Sequence, residues 1–146
     1  MNAEEQPAFV DTNILVYALA ADDPVRAPVA QDLLRRLMSH RALHTSTQVL
    51  QELYVTLTRK VRQPLSADQA LRYLERIAAW PVMVLDYEAI RSAVGLSSRH
   101  RLSFWDALIV IAASLSGAKR LYTEDLHAGQ ILLDVEIVNP FRAKAE

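Results

Sequence analysis

Short apolar runs alternate with segments of helical periodicity along almost the whole chain. Five of these runs predict strands, at residues 8–10, 42–45, 82–85, 121–123 and 137–138. Apolar residues that recur every three or four positions predict helices over about residues 14–20, 27–38, 47–61, 67–79, 87–98 and 103–117. Ser66 is placed to cap the fourth helix and Pro81 follows its end, while Gly117 is placed to end the sixth.

The predicted strands are continuously apolar rather than alternating, so both faces of each strand are expected to be covered. Strands of this kind, separated by helices, are typical of a parallel sheet with helices on both sides. The sequence therefore predicts an α/β fold. No internal repeat, low-complexity run or linker is visible, and the 146 residues fit one compact domain, residues 1–146.

Composition narrows the chemistry that this fold can carry. Hydrophobic residues make up 51% and charged residues 23%, which is enough for a packed core. The chain has no cysteine, which excludes disulfides, thiolate metal sites and cysteine nucleophiles. Its first residues are polar and acidic, and the longest apolar stretch, residues 104–115, is too short to span a bilayer. We expect a soluble, cytoplasmic protein with no membrane contact.

Three predicted strands run directly into acidic residues. Asp11 follows the first strand, Asp86 the third, and the pair Glu124 and Asp125 the fourth. Ligands of open parallel sheets bind beyond the carboxyl ends of the strands, and carboxylates at that edge can hold a hard cation. Each acid could instead cap the helix that follows it, because Asp is a favoured N-cap residue.

Two further acids lie on predicted helices. Asp106 has apolar neighbours in sequence, and a carboxylate buried among them needs a partner or a metal. Ser103, three residues earlier, offers a structural alternative, because the pair resembles a capping box. Glu52 lies one step off an apolar stripe, a position where a solvated surface glutamate is common.

Four segments in this order and at these intervals resemble the PIN-domain ribonucleases, and among them the VapC-type toxins of bacterial toxin–antitoxin pairs. The segments are FVDTNILVY (residues 9–17), STQVLQE (46–52), LSFWDALI (102–109) and LYTEDL (121–126). The resemblance implies a three-layer α/β/α fold with a five-stranded parallel sheet of order 3-2-1-4-5. That order would bring the first and fourth strands together and send Asp86 to the far edge, where it would cap a helix.

The resemblance also implies which residues form the active site. The four acids of the family pattern fall on Asp11, Glu52, Asp106 and Asp125. Thr12, Asn13 and Thr123 match polar positions that support the site. Glu124 could compete with Asp125 as the fourth acid.

An all-oxygen set of four acids favours Mg²⁺ or Mn²⁺ as the cofactor, and no histidine spacing invites zinc. His127, near Asp125, is interpreted as a solvated residue rather than a ligand. By analogy with the family, Asp11 and Asp106 would hold the metal, with Asp125 and Glu52 helping directly or through waters. The resemblance implies that the protein cleaves RNA and leaves a 5′-phosphate. It also implies that the protein binds a cognate antitoxin and forms a homodimer. The apolar helix faces at residues 49–57 and 71–77 are expected to offer the dimer surface.

A net charge of −1 gives the chain no overall attraction for nucleic acid, so local basic residues have to contact the phosphates. The candidates flank the helix of Asp106 and are Arg99, Arg101, Lys119 and Arg120.

Other α/β enzymes fit the pattern less well. Asn13 stands where a haloacid-dehalogenase-type phosphatase needs a second Asp, and the first turn is not the glycine-rich turn of a Rossmann fold. The acidic pair and late lysine of a phosphate-accepting receiver domain are also missing. A non-catalytic PIN-fold binding or scaffold protein remains the alternative of a different class.

Overall fold

A computed structural model describes residues 6–20 and 23–142 of the chain, which form six strands and six helices. In chain order these are β1 (Ala8–Val10), α1 (Thr12–Ala20), α2 (Arg26–Ser39), β2 (Leu43–Ser46), α3 (Thr47–Arg59), α4 (Ala67–Ala78), β3 (Val82–Met83), α5 (Tyr87–His100), α6 (Phe104–Leu115), β4 (Arg120–Tyr122), β5 (Ile131–Leu132) and β6 (Val135–Val138). The predicted α/β class is confirmed, and every predicted strand and helix is present.

The strands form one sheet of order β3-β2-β1-β4-β6-β5, in which all neighbours are parallel except β5 and β6. The predicted order 3-2-1-4-5 is confirmed for the five predicted strands, because the predicted fifth strand is β6. The predicted number of five strands is wrong, since β5 adds an antiparallel strand at the edge.

A two-residue turn explains why the pattern did not reveal β5. Leu133 and Asp134 connect β5 to β6, and both have positive φ angles, of 50° and 63°. Turns of this kind normally carry Asn or Gly, which tolerate the left-handed conformation. The usual sequence signal of a hairpin is therefore missing here.

Helices cover the two faces of the sheet in two groups. Strand order moves from β1 to β3 in one direction and then returns past β1 to β4. Because parallel crossovers are right-handed, the helices of the outward path lie on one face and those of the return path on the other. The contacts agree, since α1 packs on α2 and α3, α3 packs on α4, and α5 packs on α6. The strand order reverses between β1 and β4.

The inner stripe of α3 belongs to the core of this chain. Val49, Leu53 and Leu57 are completely buried, and Ile77 of α4 is buried too. The expectation that these stripes are spare surface for a dimer is therefore wrong for their inner residues, which the sheet and α4 already cover. Leu71 remains half exposed. Within the described ranges, no helix is long and apolar enough to cross a membrane.

Candidate active site

Asp11 lies at the carboxyl end of β1, where the strand order reverses. Its carboxylate is buried and accepts two hydrogen bonds, from the backbone N–H of Thr12 to Oδ1 (2.7 Å) and from the Thr123 hydroxyl to Oδ2 (2.9 Å). The second bond follows from the sheet register, because Val10 pairs with Tyr122 and the residues after them become neighbours. Strand pairing thus positions the Asp11 carboxylate.

Asn13 links the end of β4 to the start of α1. Its side-chain amide donates to Asp125 Oδ2 (2.9 Å) and to the Thr123 hydroxyl oxygen (3.3 Å). Thr123 Oγ1 also accepts from the backbone N–H of Asp125 (3.1 Å), which leaves its own hydrogen for Asp11. Through these bonds, Asp125 is joined to Asp11, although more than one hundred residues separate them in sequence.

Glu124 points into a different cluster. Its carboxylate accepts from the Tyr17 hydroxyl and from Arg26 Nε (3.2 Å), and the Arg26 guanidinium also lies 5.6 Å from the ring centroids of Tyr17 and Phe141. Burial, and then Glu124, raise the pKa of Tyr17 to about 12, so the phenol stays a donor. Of the two candidates for the fourth acid, only Asp125 is joined to the hydrogen-bond network of Asp11.

Glu52 on α3 is held by two side chains. Thr12 Oγ1 donates to Oε2 (3.1 Å), and Gln48 Nε2 donates to Oε1 (2.7 Å). Gln48 is buried and also donates to the backbone carbonyl of Trp105 (3.3 Å). Sequence reasoning missed Gln48; the available signal was its position one helical turn before Glu52, where the two side chains meet.

Asp106 lies in the first turn of α6 and is half buried. Its backbone N–H donates to the hydroxyl of Ser103, the N-cap residue (3.0 Å). The reciprocal bond that would complete a capping box is present at Ser66 and Gln69 of α4, but it is not seen at Ser103 in the described part of the chain. The cap of α6 therefore does not account for the Asp106 carboxylate.

The four acids act on one another electrostatically. Burial raises the pKa of Asp11 to about 7; the bonds from Thr123 and Thr12 oppose this rise, and the charges of Asp125 and Glu52 add to it. Burial also raises the pKa of Asp106, with Ser103 opposing and Asp125 and Glu52 adding. The acids therefore lie near one another, with Asp11 buried and Asp125 exposed, and the region between them is called the acidic cleft below.

The donor chemistry of this cleft suits a hard divalent cation, which prefers oxygen ligands and would relieve the repulsion among the acids. A further oxygen is available, because Asn13 Oδ1 is buried without a hydrogen-bond partner. Among the described residues, however, no three acidic or histidine side chains converge closely enough to form a ready-made ion site. The acids surround the cleft without meeting at one point.

The remaining predicted residues divide by position. Lys119 and Arg120 lie at the amino end of β4, at the sheet edge opposite the acids, so the fold does not bring them to the cleft. Arg99 lies in the last turn of α5 and Arg101 is the C-cap residue of that helix; both are exposed, close in sequence to the start of α6, whose first turn carries Asp106.

Asp86 caps α5 by accepting from the backbone N–H of Ala89 (3.0 Å), as predicted. His127 is exposed, as expected for a solvated residue.

Comparison with known proteins agrees with this architecture. Residues 8–131 match the family model described as PIN domain. Ribonuclease VapC23 of Mycobacterium tuberculosis is 33% identical over 122 residues, which cover 80% of this chain and 91% of that protein.

Two solved structures share the fold at lower sequence identity. VapC20 of Mycobacterium tuberculosis, described as a sarcin–ricin loop cleaving toxin, superposes with a TM-score of 0.60 and 22% identity, covering 78% of this chain and 86% of its own. A toxin–antitoxin complex from Klebsiella pneumoniae superposes with a TM-score of 0.66 and 20% identity, covering 91% of this chain and 97% of the other.

Proposed function

This chain belongs to the PIN-domain family, in its VapC-type group, and from that premise we propose that it is a Mg²⁺- or Mn²⁺-dependent endoribonuclease. Its biological role would be that of the toxin of a bacterial toxin–antitoxin pair, acting in the cytoplasm as a single PIN domain. The support for cleavage of RNA is the name of the curated relative, a ribonuclease, together with the chemistry of the cleft.

One observation carries the proposal: three of the four acids are held in the cleft by polar side chains from other parts of the chain. Thr123 holds Asp11, Asn13 holds Asp125, and Thr12 holds Glu52, with help from Gln48 of the same helix. Holding like charges close together lowers the stability of the fold. Such clusters are therefore found mainly where the charged groups have a function. The alternative, a non-catalytic PIN scaffold, gives no use to this arrangement.

The residues have separate tasks in the proposed reaction. Asp11 and Asp106 would hold the cation, with Glu52 and Asp125 helping directly or through waters. When bound, the cation would lower the pKa of the attacking water and offset the negative charge of the phosphate. One carboxylate would accept a proton of the water as its oxygen attacks phosphorus. The bond from phosphorus to the 3′-oxygen would break, the 3′-oxygen would take up a proton from solvent to become a 3′-hydroxyl, and the other product would carry the 5′-phosphate. Thr123 and Asn13 keep their acids oriented throughout.

Substitution of Asp106 tests the proposal. Asp106→Asn keeps the shape but removes a charge, so RNA cleavage in millimolar Mg²⁺ should fall by orders of magnitude. In EDTA the variant should be at least as stable as wild type, because a half-buried charge near Glu52 and Asp125 is gone. Mg²⁺ should then raise the melting temperature of wild type much more than that of the variant.

A matched control is available at the same edge of the sheet. Asp86→Asn also removes a strand-end charge and keeps a good N-cap residue, so it should cleave RNA and respond to Mg²⁺ as wild type does. Undiminished cleavage in excess EDTA, or an Asp106→Asn protein with normal activity and a normal response to Mg²⁺, would overturn the proposal.

The partners proposed with this role are a cognate antitoxin and a second copy of the chain. The antitoxin is supported by the toxin–antitoxin complex that shares the fold. The homodimer is supported by the frequency of symmetric pairs among oligomers, with surface residues such as Leu71 available on α4. Co-purification of a small protein from the native host tests the first. Light scattering tests the second, and a monomer mass at tens of micromolar would contradict it.

A further inference from the structure

The indole of Trp105 is exposed beside the acidic cleft. Trp105 is the second residue of α6 and 63% of its surface is exposed, although residues 107–113 of the same helix are all buried. A tryptophan ring is costly to leave in water, and exposed aromatic residues near functional sites often contact a ligand. The next residue in the chain is Asp106.

Two contacts hold Trp105 in position. Its ring meets the Phe104 ring edge to face, with centroids 5.1 Å apart and planes at 77°, and Phe104 packs on the core. Its backbone carbonyl accepts from Gln48 Nε2, the same nitrogen that donates to Glu52. The backbone of Trp105 is therefore bonded to the side chain that orients Glu52, and the next residue, Asp106, is another of the acids.

The negative charge of the cleft favours an uncharged contact with RNA, which an aromatic ring can provide. RNA phosphates must approach four acids on a chain of net charge −1, and of the four basic candidates Lys119 and Arg120 lie at the opposite sheet edge, which leaves Arg99 and Arg101 at the end of α5. Stacking of a base on an aromatic ring adds affinity without requiring positive charge, and it tolerates any base because each has a π-face. The base of a nucleotide lies one sugar away from its phosphate, so a phosphate at the acids brings a base close to the first turn of α6.

We propose that Trp105 is the stacking platform for a nucleobase of single-stranded RNA whose phosphodiester lies at Asp11, Glu52, Asp106 and Asp125. This assignment rests on the proposed ribonuclease function. It makes Trp105 a residue for substrate binding, with no part in proton transfer or in holding the cation.

The test compares the kinetics of three variants on a single-stranded RNA of mixed sequence in Mg²⁺. Trp105→Leu keeps apolar bulk but has no π-face, so KM should rise about 5- to 150-fold, the range that loss of one stacked base corresponds to, with kcat nearly unchanged. Trp105→Phe keeps a π-face and should restore most of the affinity. Leu115→Ala is the control, because Leu115 is 56% exposed at the other end of α6 and should leave KM unchanged.

A direct signal of stacking is available because the chain has two tryptophans. In a Trp80→Phe protein, Trp105 is the only tryptophan, and its fluorescence should be quenched when the same RNA is added in Mg²⁺ and the signal is read before cleavage proceeds.

The outcomes separate this proposal from the ribonuclease function. If wild type cleaves RNA but Trp105→Leu has a normal KM, the stacking role is wrong and the ribonuclease function stands. The exposed ring would then be assigned to contact with a protein partner. A fluorescence of the Trp80→Phe protein that saturating RNA does not change would also overturn the stacking role. If wild type neither binds nor cleaves RNA, the ribonuclease function fails and the stacking role fails with it.

Discussion

The buried Asp11 should make the metal-free protein less stable as the pH rises. In the fold, burial is the main reason that the pKa of Asp11 rises from 3.8 to about 7. Between these two values the folded chain binds a proton at Asp11 that the unfolded chain has already lost. Folding is therefore favoured at low pH, and this contribution disappears as the pH rises through about 7.

The size of the effect follows from the shift. A rise from 3.8 to about 7 corresponds to about 4 kcal/mol of free energy of unfolding. Over the accessible range, from pH 5 to pH 8, Asp11 should remove about 2.5 kcal/mol. Asp11→Asn carries no charge at any pH, so its stability should lack this decline. Its absolute stability is a poorer guide, because the new amide nitrogen cannot accept the hydrogen bond from Thr123.

The measurement is urea denaturation of both proteins in EDTA at pH 5, 6, 7 and 8. The pKa of Asp106 is raised too, but the charges that raise it are those of Asp125 and Glu52, which the variant keeps. The effect of Asp106 on stability is therefore the same in both proteins and cancels when their pH profiles are subtracted. Asp86→Asn, which changes an exposed helix cap, should follow wild type. Millimolar Mg²⁺ at pH 8 should restore stability to wild type only. Parallel pH profiles for wild type and Asp11→Asn would refute this account of the buried carboxylate.

Three further predictions concern other parts of the structure. Gln48→Leu removes the hydrogen-bond donor to Glu52, so it should lower kcat for RNA cleavage about tenfold and cost about 1 kcal/mol in urea denaturation; unchanged kcat would remove Gln48 from the site. Glu124→Gln should retain cleavage within a few-fold, whereas Asp125→Asn should lose most of it, and the reverse order would make Glu124 the fourth acid. Leu133→Asn with Asp134→Gly supplies residues that suit the left-handed turn, so the double variant should gain about 1–2 kcal/mol, and a lower urea midpoint would contradict that assignment.

Local patterns were enough to predict every described element of this fold except β5. The apolar run of β1 and the apolar run and N-cap residue of α6 predict these elements. Both kinds of signal involve only a few neighbouring residues. The parallel order of the five predicted strands, in contrast, came from the resemblance to a family, since crossover order leaves no local signal. The bounds shifted at ends that tertiary packing decides, as at β3, which has two residues where four were predicted.

The four acids of the candidate site were also identifiable from the sequence, three of them through short motifs at strand ends or in an apolar helix and all four through the family resemblance. Tertiary structure alone decided how they are held. Asp125 rather than Glu124 joins Asp11 because Asn13, 112 residues away, bonds to it. Gln48 became part of the site because α3 packs where its amide reaches both Glu52 and the start of α6.

The same reason explains the expectations that changed. Lys119 and Arg120 are close in sequence to Asp125, yet they stand at the start of β4 and the site lies beyond its other end, so sequence proximity did not predict which edge of the sheet they occupy. β5 forms because the backbone groups on the outer side of β6 are available for pairing. Two residues can pair with them without an apolar pattern in the sequence, so β5 was not predicted. Residue type and short-range periodicity determine the elements and the available chemistry. Contacts between distant segments, which depend on the packing of the whole chain, determine which groups meet.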